Sequence, residues 1–124
     1  MIKRFSEDQD IRHHPQRAVQ AWQILAGAAM NRQTFTYKSL SQLMYGRTAA
    51  GVLDEILGHI AFYCNDSGLP PLTAIVVNSE TGMPGHGIPA ENVPSEREEV
   101  FNFNWFDVYP PNSEILRASF QAHK

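Results

Sequence analysis

One thiol, five imidazoles, a knot of carboxylates and a glycine-rich loop are the residues of this chain whose types could carry chemistry. A nucleophilic cysteine needs a nearby base or positive charge to lower its pKa. Cys64 falls instead on the apolar stripe of a helix, where core packing is the expectation. His13 and His14 are neighbours in sequence, so their side chains point apart and make a poor chelating pair. His59 is expected at an exposed helical position and His86 in a loop, with no Cys or carboxylate at ligand spacing, so no metal is assigned. The segment "SEREEV", residues 95–100, has the carboxylate density for acid/base work. A helix N-terminal turn explains the same acids through the helix dipole.

The stretch "LTAIVVNSETGMPGHGIP", residues 72–89, runs from β-formers into a loop with three glycines and two prolines. It lacks the lysine and serine/threonine end of a phosphate loop and the spacing of a dinucleotide fingerprint. No Ser/His/Asp order is readable either. No catalytic residue and no cofactor are therefore assigned, and the chain is read as a binding protein rather than an enzyme.

The elements that would position these residues follow from periodicity. Residues 15–30, "PQRAVQAWQILAGAAM", place Ala18, Trp22, Leu25 and Ala29 on one helical stripe, with proline at the first turn. A short second helix has Thr36 as its N-cap, Leu40, Leu43 and Met44 on one face and Gly46 as its stop. A longer third helix carries Val52, Leu53, Ile56, Leu57, Ile60, Ala61 and Cys64 at i, i+3, i+4 spacing, closed by Asn65 and Gly68. "LTAIVV" is predicted to be a buried strand, "SETGMPGHG" a reversal and "HGIP" a weak returning strand. "VPSEREEVFNFNWFDV" is predicted to form a fourth helix, and "SEILRASFQAHK" a last one capped by Ser113. The chain of 124 residues is then one α+β domain, mainly helical with a short β-hairpin, of winged-helix type. Residues 1–14 are an N-terminal arm, 15–89 the core and 90–124 a C-terminal helical extension.

Helix, short helix, tight turn, longer helix, strand and glycine-rich hairpin is the order of a winged helix-turn-helix. "TYKSLSQLMYGRTAAGVLDEILGHI" followed by "TAIVVNSETGMPGHGIP" resembles the DNA-binding domain of the O6-alkylguanine-DNA alkyltransferases and alkyltransferase-like proteins over roughly residues 35–89. The resemblance implies a second helix opened by a Thr-Tyr pair, a recognition helix and a Val-Val-Asn hairpin. It also implies DNA as partner. The family's reactive Pro-Cys-His-Arg motif is replaced here by "LTAI", which removes alkyl transfer. Its recognition-helix arginine has no clear counterpart, since Arg47 precedes the helix and the helix carries Asp54 and Glu55.

Charge supports a split surface. Net charge is −3, yet residues 1–47 carry seven bases against three acids, and the remainder three bases against ten acids. If duplex DNA is bound, the candidates are Arg32, Lys38, Ser41, Gln42, Arg47 and Thr48, with cations on phosphate and hydroxyl or amide groups on phosphate oxygens or base edges. In the acidic half, "VFNFNWFDVYPP" packs five aromatics into twelve residues with one charge. Phe101, Phe103, Trp105 and Phe106 either cover the helical core or anchor a protein partner or second copy. No apolar run approaches the ~20 residues of a membrane span, and nothing resembles an export signal. A lone cysteine fits a reducing compartment, so a soluble, cytoplasmic protein is expected.

Overall fold

A computed structural model of the chain describes residues 2–7, 14–47, 50–77 and 93–123. Helix α1, His14–Met30, buries Ala18, Ala21, Trp22, Leu25, Ala28 and Ala29. Its alanines let neighbouring elements approach closely while Trp22 and Leu25 fill the space between them. Strand β1, Phe35–Thr36, leads directly into α2, Tyr37–Tyr45, and α3 spans Ala50–Ser67. A 3-10 turn at Leu72–Ile75 precedes β2, Val76–Val77. Helix α4 covers Val93–Asn102, a 3-10 turn covers Trp105–Asp107, and α5 covers Ser113–Ala122. The described residues thus form a small, mainly helical α+β structure.

One apolar cluster joins these elements. Leu25 of α1, Leu40 of α2, Leu53, Ile56, Leu57, Ile60 and Cys64 of α3, and Leu72, Ile75 and Val76 are all fully buried in it. Val100, Trp105 and Leu116 belong to the same cluster, so the C-terminal segment shares the core rather than lying outside it. Each such aliphatic side chain contributes about 1.5–3 kcal/mol by leaving water. The Trp105 ring meets Trp22 edge-on, with centroids 5.6 Å apart, and its indole Nε1–H donates to the Val100 carbonyl at 2.8 Å. That bond satisfies the polar atom that burial would otherwise strand. No helix among the described residues is long and apolar enough to cross a membrane.

The first three predicted helices appear close to their expected bounds, and the strand does not. Only Val76 and Val77 are extended, and they pair in parallel with β1, Phe35 opposite Val76 and Thr36 opposite Val77. Leu72–Ile75 instead makes a 3-10 turn, with the Ala74 N–H bonded to the Pro71 carbonyl at 2.8 Å. A local turn supplies some of the hydrogen bonding that this fully buried stretch requires. The expected reversal and returning strand over residues 79–89 lie outside the described residues.

Two helix limits also differ from expectation. The fourth helix stops at Asn102, because Asn104 turns the chain and its side chain accepts from the Phe106 N–H. Asparagine competes with helix continuation by such local bonds. The last helix is capped by Asn112, whose Oδ1 accepts from the Ile115 N–H at 2.9 Å, and not by Ser113.

Candidate nucleic-acid interface

Helix α2 owes its position to both ends. The Thr36 hydroxyl accepts from the Ser39 N–H at 3.0 Å while Ser39 Oγ accepts from the Thr36 N–H at 2.9 Å, a reciprocal capping box. Gly46 ends the helix at φ 72°, a left-handed conformation that glycine adopts without a Cβ penalty, and its N–H returns to the Gln42 carbonyl. Leu40 and Met44 face the core, which leaves Lys38, Gln42 and Leu43 exposed. Lys38 and Gln42 lie one turn apart on the outer face. Arg47 is exposed in the turn that follows.

The remaining sequence candidates divide. Ser41 is fully buried, and its Oγ donates to the Arg47 carbonyl at 2.8 Å, so this hydroxyl holds the turn rather than facing a ligand. Thr48 lies outside the described residues. Arg32, with φ 54°, directs its guanidinium to Glu98 of α4 at 2.6 Å and over the Phe101 ring at 5.0 Å. It therefore belongs to the acidic C-terminal side and is not grouped with Lys38 and Arg47.

Helix α3 presents a restricted outer face. Its C-terminal half is covered by α5: Phe120 stacks on His59, His123 stacks on Phe62, and His123 Nε2 meets Asp66 Oδ1 at 2.8 Å. His59, expected on the surface, is 3% exposed: its Nδ1–H bonds the Glu55 carbonyl at 2.8 Å and Phe120 covers one face of its ring. What remains open near the α2 turn is Gly51, Asp54 and Glu55. Glu55 Oε2 lies 3.2 Å from His14 Nε2. Partial burial pushes the Asp54 carboxyl up.

One basic side chain outside the sequence candidates, Arg17, reaches the end of α2. The Arg17 guanidinium lies between two rings, 3.9 Å from the Phe5 centroid and 4.4 Å from that of Tyr45. Its Nη1 donates to Gln20 Oε1 at 2.9 Å and to the Met44 carbonyl at 3.0 Å. Burial pushes the Tyr45 phenol up, partly offset by the positive charges of Arg17 and Arg47. Lys3 and Arg4, adjoining Phe5, are exposed. Sequence signals for this grouping are weak, because Phe5, Arg17 and Tyr45 are far apart in the chain.

The aromatic candidates are placed unequally. Trp105 is buried, and Phe101 and Phe103 are half-buried against the core, while Phe106 is 69% exposed. Phe106, Val108 and Pro110 border a cavity of about 240 Å³ floored by Trp22, Ala26 and Trp105. Tyr109, between two of these residues, is 91% exposed. Glu98 and Glu99 of α4, with Phe103 just beyond its end, line a separate, open groove.

Burial pushes the Cys64 thiol up to about 12. Thr73, in the 3-10 turn Leu72–Ile75, is fully buried, and its hydroxyl has no hydrogen-bond partner among the described residues. Among the described residues no three His, Cys, Asp or Glu side chains are grouped closely enough to hold a metal ion. Comparison with protein-family models, with curated proteins and with solved structures finds no match.

Proposed function

We propose that the protein binds double-stranded DNA without catalysing a reaction on it, through the outer face of α2, the Gly46–Arg47 turn and the first turns of α3. The observation that carries this reading is the exposed Lys38–Gln42 face leading to Arg47, on a stretch in which no residue from 11 to 53 is acidic. Lysine and arginine neutralise phosphate and release condensed counterions, and the Gln42 amide can donate to a phosphate oxygen. Asp54 and Glu55 oppose deep entry of α3 into a groove, so the reading is of backbone binding with little sequence preference. The buried thiol is compatible with a reducing compartment such as the cytoplasm.

Fluorescence anisotropy with a random-sequence duplex tests this. Lys38→Glu and Arg47→Glu are each expected to weaken binding by about tenfold at moderate salt. Unchanged affinity in both would remove α2 and its turn from the interface.

A second reading, a protein-interaction or homodimeric accessory role, is favoured by the exposed Phe106 and Tyr109 beside the apolar cavity. Exposed aromatic rings at an apolar recess are common interface anchors. Light scattering on the full chain, with Phe106→Ala as control, decides the homodimeric form: a dimer lost in the variant supports it, and a monomer at all concentrations removes it.

A further inference from the structure

The Arg17 guanidinium has little left to offer an external ligand. It lies over two aromatic rings, at distances within the ~6 Å range of cation–π attraction, and its Nη1 is bonded to Gln20 and to the Met44 carbonyl. It acts as a bolt that ties three elements together: α1, which carries it, the end of α2 through Met44 and Tyr45, and the segment Ile2–Glu7 through Phe5. Phe5 opens a single 3-10 turn, Phe5–Glu7, and its ring meets the Arg17 guanidinium of α1.

Chain geometry then fixes where the neighbouring charges lie. Lys3 and Arg4 are two residues and one residue from Phe5, so their backbones are within about 7 Å of its own. Arg47 is two residues beyond Tyr45 on the other side of the bolt. Lys38, exposed on α2, precedes the half-buried Tyr45 by seven residues, about two turns and about 10 Å along the helix axis. Lys3 and Arg4 are exposed, and the one described contact of Arg4, to Glu7 at 3.7 Å, has both side chains more than 60% exposed. Such a pair is weak and readily exchanged for another anion.

Resting on the duplex-binding reading above, we propose that residues 2–7 are part of the DNA-binding surface. The Phe5–Arg17–Tyr45 stack holds this segment beside the α2–α3 turn, and Lys3 and Arg4 supply two phosphate contacts in addition to Lys38 and Arg47. Ordering the segment in the free protein lowers the entropy lost when its cations meet the backbone of the duplex.

The test is a salt series of duplex affinities on the full chain. Lys3→Gln with Arg4→Gln should reduce the slope of log K against log salt by about 2 and weaken binding by about tenfold or more near physiological salt. Phe5→Leu keeps every charge and an apolar side chain while removing the ring, and should weaken binding about threefold to fivefold through loss of pre-ordering. If the double variant binds as the wild type does while Lys38→Glu weakens binding, the role of the segment is overturned and the DNA reading stands. If the double variant weakens binding and Phe5→Leu does not, the stack is overturned as its positioning device. Absence of wild-type binding at low salt overturns the DNA reading and this inference with it.

Discussion

The imidazole of His59 and the ring of Phe120 lie face to face, with centroids 4.1 Å apart and planes 3° apart, and join α5 to α3. The Glu55 carbonyl can only accept, so the His59 Nδ1 at 2.8 Å carries the proton of that bond. Burial is the main cause that lowers the His59 pKa; the Glu55 carbonyl bond opposes it, and His14, 6.3 Å away between centroids, adds to it.

A pH dependence follows with a definite sign. A histidine whose pKa is lower folded than unfolded contributes its full stability above the unfolded value of about 6.5 and loses it as pH falls toward the folded value. Chemical denaturation between pH 7.5 and 5 should therefore show declining stability, with a slope from this group of at most about 1.4 kcal/mol per pH unit. His59→Phe retains an aromatic ring at the stack and should flatten that decline. An unchanged pH profile in the variant would assign the effect to other groups.

Two glycines in helix interiors are expected to respond differently to alanine. A Cβ at Gly27 of α1 meets nothing within 4 Å, so Gly27→Ala should stabilise by about 0.5–1 kcal/mol through helix propensity. A Cβ at Gly58 would lie 3.1 Å from Phe120 Cε1, and that ring is held against His59. Gly58→Ala should gain less than Gly27→Ala or lose stability, as read from thermal midpoints.

Trp105 joins Trp22, Phe103 and the Val100 carbonyl in the core. Trp105→Ala should cost about 3–5 kcal/mol in denaturant unfolding. Trp105→Phe, which keeps a ring but leaves the Val100 carbonyl without this donor, should cost less. Equal costs would place the whole contribution in the indole bond.

The Cys64 thiol, fully buried and pushed up to about 12, should resist alkylation by a maleimide at pH 8 and react once the chain is unfolded. Rapid labelling of the folded protein would contradict the core placement.

Sequence reading succeeded where the signal was local. Thr36 and Gly46 bracket α2 through bonds to residues within four positions, and the α3 stripe from Leu53 to Cys64 repeats at helical spacing. It failed where partners are distant or short apolar runs are ambiguous. Leu72–Ile75 has strand-forming residues yet turns, and its continuation pairs with Phe35–Thr36, some forty residues earlier. A polar imidazole is expected at the surface, but for His59 a carbonyl one turn back takes its Nδ1 proton and Phe120 on another helix covers its ring. Arg32 and Arg17 were equally basic in sequence, and only folding sends one to Glu98 and the other between two rings.

Duplex binding is tested most simply by the affinity of the wild-type chain for a random duplex across a salt series. Four phosphate contacts, from Lys3, Arg4, Lys38 and Arg47, give an expected slope of log K against log salt of about −3.6. Duplex binding with a slope between about −3 and −4 is the expected result. No binding at low salt, or affinity that does not change with salt, would contradict it.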